Sequence, residues 1–150
     1  MITLFENFKF YKTGQPIAYS AIVLDKKSRE LLLSKYIYPN PEYVDWIKIC
    51  DHMTICLGEL PEHIKMYWLN EEVTLTAFEL GISDKSVAVK VTGFFNINKL
   101  NIDDGPLFQH ITLAINPYDA KPKDSNYIEN WQPISHLKIN GVVKEINSIY

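Results

Sequence analysis

His52-Met53-Thr54-Ile55 and His110-Ile111-Thr112-Leu113 repeat one pattern, His-apolar-Thr-apolar, once in each half of the chain. Along a β-strand, residues i and i+2 point to the same face. Each copy therefore sets an imidazole beside a hydroxyl, while Met53 and Ile111 turn the other way, into a core. The apolar residues around the copies predict strands over Ile49–Leu57 and His110–Ile115. If those strands are neighbours in one sheet, His52, Thr54, His110 and Thr112 converge on one site.

Working outward, Ile17–Leu24 reads as a buried strand closed by Asp25. That aspartate can cap a helix over Lys26–Lys35, whose Leu31, Leu32 and Leu33 supply the apolar face. Pro39, Asn40 and Pro41 predict a loop over Tyr36–Asp45, rich in aromatics (Tyr36, Tyr38, Tyr43), with Trp46 just beyond. Val73–Leu80 and Ser86–Val91 predict paired strands joined by a turn over Gly81–Lys85, and Leu137–Ile146 a closing strand. Three prolines mark Asn116–Ser135 as a long loop, of a kind that is usually functional or disordered. Asp103-Asp104-Gly105-Pro106 reads as a turn, and Thr3–Tyr11 as an edge strand.

With 150 residues, 47% of them hydrophobic, the chain can bury one core and is read as one domain, 1–150. A net charge of −3 argues against gripping long duplex nucleic acid, so a nucleotide ligand should be short. No apolar run approaches the ~20 residues of a membrane span, and Met1–Glu6 does not begin a leader, so a soluble, cytoplasmic protein without membrane partners is expected. Cys50 and Cys56 are too few for a disulfide framework, which fits a reducing compartment.

The paired motifs suit phosphodiester chemistry. A base must take a proton from an attacking water or 2′-hydroxyl, and an acid must protonate the leaving oxygen. Histidine, with a pKa of about 6.5, can fill either role near pH 7. Threonine hydroxyls can donate to the non-bridging phosphate oxygens, so neither a metal nor a cofactor is required. A lone strand histidine is more often a core or surface residue than a catalyst, and His63 and His136, without hydroxyl partners two residues on, are given no role. It is the pairing that carries the signal.

The two motifs resemble those of the two-histidine (2H) phosphoesterase superfamily, LigT-like enzymes and cyclic phosphodiesterases, at all four key positions. Tyr19–Asp25 followed by Ser28–Leu33 resembles the start of many members, and Ala120–Asn126 their loop after the second motif; the likeness covers most of residues 17–146. It implies a bilobal α+β fold, two antiparallel sheet halves around a central cleft. The short interval between the motifs leaves room for few helices. It also implies metal-independent cleavage of a ribonucleotide phosphodiester, in a cyclic nucleotide or cyclic oligonucleotide messenger or at an RNA 2′,3′-cyclic phosphate end; some phage members degrade such messengers.

Around the site, Lys121 could offset phosphate charge, and Ser125 or Asn126 could bond a base or ribose; the competing reading is a solvated turn. Tyr19 borders the expected cleft, and Trp46 with the loop tyrosines could stack a nucleobase, though buried aromatics are the commoner case. Cys50, His52 and Cys56 share strand parity, but would span roughly 20 Å on a straight strand, too far to meet one zinc ion. A cysteine nucleophile assisted by His110 would leave both threonines unexplained. Two other classes stay open: a non-catalytic protein that sequesters a nucleotide, and an interaction domain in which the histidines lie far apart.

Overall fold

Seven strands and two short helices make up most of the chain in the computed structural model, which describes residues 17–94 and 108–147. In chain order they are β1 (Ile17–Leu24), α1 (Lys26–Tyr36), β2 (Ile47–Lys48), β3 (His52–Leu57), α2 (Glu62–Trp68), β4 (Glu72–Ile82), β5 (Ser86–Thr92), β6 (His110–Ile115) and β7 (Asn130–Asn147). Single 3₁₀ segments fall at Pro41–Tyr43 and Pro122–Tyr127. The architecture is α+β with few helices. The expected edge strand Thr3–Tyr11 and the turn Asp103–Pro106 lie outside the described residues.

All pairings are antiparallel, in the order β2-β6-β3-β1-β7-β4-β5, and a further β5–β6 pairing closes six strands into a barrel. Register builds an apolar girdle around the closed sheet. Val143 faces Ile22, Ile22 faces Met53, Met53 faces Ile111 and Ile111 faces Val89. These five side chains have no exposed surface, as the motif parity predicts for Met53 and Ile111. Each large aliphatic buried in this way contributes about 1.5–3 kcal/mol. The motif histidines and threonines therefore sit on the opposite face of β3 and β6.

Asp25 caps α1 as expected, its Oδ1 accepting from the Ser28 amide at 2.7 Å. Leu32 and Leu33 are fully buried, but Leu31 is 40% exposed. Three consecutive leucines cannot share one helical face, and the third inward position goes to Ser28, whose hydroxyl accepts from the Asn140 amide at 2.8 Å.

Two strands differ from their sequence reading. Ile49–Leu57 is not continuous. Cys50 adopts a left-handed backbone (φ 43°), and the strand proper starts at His52. The break is held by bonds from the Ile49 amide to the Leu113 carbonyl and from the Cys50 amide to the Thr112 carbonyl, both 2.9 Å. The predicted loop Asn116–Ser135 contains the Pro122–Tyr127 segment and the first residues of β7, which begins at Asn130. Pro133 is tolerated inside β7 because that end pairs with β4 alone, next to a register shift between Ala77 and Glu79.

Candidate functional site

The single bridged pair between β3 and β6, Met53 opposite Ile111, fixes how the motifs meet. Continued one residue either way, this register sets Thr54 across from His110 and His52 across from Thr112. The strands are antiparallel, so the histidine of each motif faces the threonine of the other. In a regular register the two histidines are diagonal neighbours, an arrangement in which Cα atoms lie about 7–8 Å apart.

His52 is held by side chains. Its Nδ1 lies 2.6 Å from Asp51 Oδ1, and its Nε2 3.1 Å from Thr54 Oγ1. A carboxylate only accepts, so Asp51 fixes the proton on Nδ1, and Nε2 is left to accept from Thr54. The hydrogen bond from His52 is the main reason that the Asp51 carboxyl lies below its ordinary value; partial burial opposes it. Neighbours on a strand normally point to opposite faces. The left-handed Cys50 is what lets Asp51, in the bend before β3, turn to its neighbour's ring.

His110 is held by backbone and burial. Its Nδ1–H donates to the Phe108 carbonyl at 3.0 Å, leaving Nε2 with a free lone pair when the ring is neutral. The Phe108 ring lies 5.0 Å from the imidazole, centroid to centroid. Burial pushes the His110 pKa below 6.5; the Phe108 hydrogen bond opposes this and the charge of His52 adds to it. The rings thus sense each other electrostatically.

The two threonines differ as well. Thr54 is half-buried and turned to His52. Thr112 is buried, its Oγ1 2.8 Å from Ser125 Oγ and 3.3 Å from the Pro122 carbonyl, so it fastens the Pro122–Tyr127 segment to β6.

Among the other expected residues, Tyr19 is at the site: its ring lies 5.3 Å from that of His52, and burial, then Asp51, raise its pKa, keeping a neutral O–H. Ser125 has no exposed surface and binds Thr112, which corrects its expected contact with a base or ribose. Asn126 donates to the Lys123 carbonyl at 3.1 Å, and its buried Oδ1 has no protein partner. Lys121 is exposed beside the same segment, its amide donating to Asp124. Trp46 is corrected to a core residue, 8% exposed and packed on Tyr43 at 4.7 Å between centroids, which removes it as a stacking platform. Tyr38 and Val44 instead line a separate groove of about 530 Å³. His63 and His136 are exposed.

Both cysteines are free and buried. Burial pushes the Cys50 thiol up to about 12, and its Sγ points to the Arg29 carbonyl, which removes the basis for a cysteine nucleophile. Among the described residues no three His, Cys, Asp or Glu side chains are grouped to hold a metal ion, and no helix is long and apolar enough to cross a membrane. The sequence reading missed Asp51 and Phe108. Adjacency to His52 was the one visible sign of Asp51, and strand parity argued against it. Compared with known proteins, the chain matches no family model and no curated protein, so the reading of this site rests on its own geometry.

Proposed function

We propose that the chain is a two-histidine phosphodiesterase of the 2H type, cleaving a short ribonucleotide substrate by acid–base chemistry without a metal. The observation that carries the reading is the Met53–Ile111 register, which gathers both His-Thr pairs on one face. The bilobal arrangement of that superfamily belongs to this proposal.

The unlike settings of the rings favour a division of labour. His110, half-buried with its pKa lowered, is the neutral partner at pH 7, and its Nε2 takes the proton from a 2′-hydroxyl or water as that oxygen attacks phosphorus. In the role of acid, His52 carries a second proton on Nε2 in place of the hydrogen bond from Thr54 and gives it to the leaving oxygen as the P–O bond breaks. The Asp51 carboxylate balances the imidazolium and keeps the ring oriented. Thr54 donates to a non-bridging oxygen. Thr112, expected as a second donor, is buried beneath Ser125 and instead fastens the Pro122–Tyr127 segment beside the site.

The test is incubation with 2′,3′-cyclic mononucleotides, cyclic dinucleotides, cyclic oligoadenylates and short RNAs in EDTA, with products read by mass spectrometry. The reading predicts at least one cleaved substrate, with a ~10²–10⁴-fold loss of rate in His52→Ala and in His110→Ala. Binding without cleavage that survives both substitutions would instead support a sequestering protein.

A further inference from the structure

Beyond the two histidines, the same face of the sheet continues in two parallel rows across the strands. In one row His110 faces Lys90 on β5, Lys90 faces Glu79 on β4, and Glu79 faces Pro133 on β7. In the other, Thr112 faces Ala88, Ala88 faces Gly81, and Gly81 faces Trp131. The second row is covered. Thr112, Ala88 and Gly81 are all buried, Ser125 sits on Thr112, and the Trp131 ring lies so close over Gly81 that a Cβ there would meet it at 2.5 Å. The first row is open, since Thr54, His110, Lys90 and Glu79 all keep part of their surface.

Lys90 is fixed in this lane. Its Nζ lies 4.5 Å from the Trp131 ring centroid and 5.1 Å from that of Phe108, and 3.2 Å from Glu79 Oε1. Phe108 and Trp131 meet edge to face at 5.4 Å, and the Trp131 indole N–H donates to the Ile128 carbonyl at 2.9 Å, so the aromatic wall is anchored. An ammonium has three donors, of which Glu79 takes one, and the lysine side chain remains 26% exposed. A cation ordered in advance and left partly open is suited to receive an anion, because little freedom remains to be lost on binding.

We propose that Lys90 forms a second phosphate subsite, one strand from His110, so that the substrate is an oligonucleotide laid across the strands with its scissile phosphate at the histidines and a neighbouring phosphate at Lys90. This rests on the phosphodiesterase reading. Adjacent strands lie about 4.8 Å apart, a step that the lysine side chain can adjust to the interval between successive phosphates. Glu79 closes the lane by repulsion, so a third phosphate adds nothing at this end.

Binding is measured by calorimetry on the full chain with 2′-O-methylated adenylate probes, which lack the nucleophilic 2′-hydroxyl: a dinucleotide with one phosphate and a trinucleotide with two. The trinucleotide should bind about tenfold more tightly, with no comparable gain for a tetranucleotide. Lys90→Gln should remove most of that advantage and lower the salt dependence of log K for the trinucleotide by about 0.7, as expected for one lost contact to single-stranded phosphate, while Lys90→Arg restores it. Equal affinity for the two probes, or an equal loss on both in Lys90→Gln, would overturn the subsite and leave the histidine chemistry standing. The reverse separation is equally readable: a Lys90-dependent preference in a protein that cleaves none of the ribonucleotides keeps the subsite and removes the catalytic reading. Failure to bind either probe would overturn the subsite, while the histidine reading is decided by the cleavage assay.

Discussion

The β3 and β6 motifs share a sequence pattern and a face of the sheet, yet they are held by different means. On β3, side chains set the histidine: Asp51 holds Nδ1, and Thr54 meets Nε2. On β6, the Phe108 carbonyl holds Nδ1, burial sets the charge, and the threonine is tied to Ser125. A repeated pattern thus yields two rings that differ in what stabilises each protonation state. One site that must both take and give a proton has use for that difference.

The largest way to break the contrast is at Asp51. An asparagine in its place removes the carboxylate that accepts from Nδ1–H and balances a second proton on the ring. Asp51→Asn should therefore lower kcat by about ten- to hundredfold, less than in a buried triad because Asp51 is largely exposed, with the melting temperature nearly unchanged. An unaltered kcat would mean that Asp51 does not orient the ring.

The threonines sharpen the comparison next. Thr112→Val leaves the buried Ser125 hydroxyl without its partner and should cost about 1–3 kcal/mol in chemical denaturation. Thr54→Val, at a half-buried position, should stay within about 0.5 kcal/mol while reducing activity. Equal stability losses would erase the distinction between a threonine that fastens a segment and one that meets only His52.

A smaller effect follows from burial of His110. Below about pH 6.5 the unfolded chain binds a proton there that the folded chain does not, because the folded pKa is lowered. Stability should fall as pH drops from 6.5 toward the lower pKa of folded His110 and then level off. In His110→Gln, denaturation midpoints should lose that part of the slope; an unchanged slope would show that the ring is not kept neutral by folding.

Local signals in the sequence were sufficient for β1, the Asp25 cap and the β4–β5 hairpin, since each depends on neighbours in the chain. The face shared by both motifs was also legible, because parity within His52–Thr54 and His110–Thr112 needs only two residues. The break at Cys50 was not, since its left-handed backbone is imposed by bonds to β6, far away in sequence. The same holds for Trp46, whose burial depends on Tyr43 and the core beneath the loop, and for β7, where β4 stabilises a strand through Pro133. Closure of the barrel by β5 and β6 is likewise a long-range pairing. The lane from His110 to Lys90 was invisible for that reason.

The most direct test of the division of labour is the pH dependence of kcat/KM for a cleaved ribonucleotide in EDTA. The account predicts that the rate falls on the acid side, below pH 6.5, as neutral His110 is lost, and that His110→Gln flattens this limb. A rate that does not fall below pH 6.5, or an acid limb unchanged in His110→Gln, would contradict it.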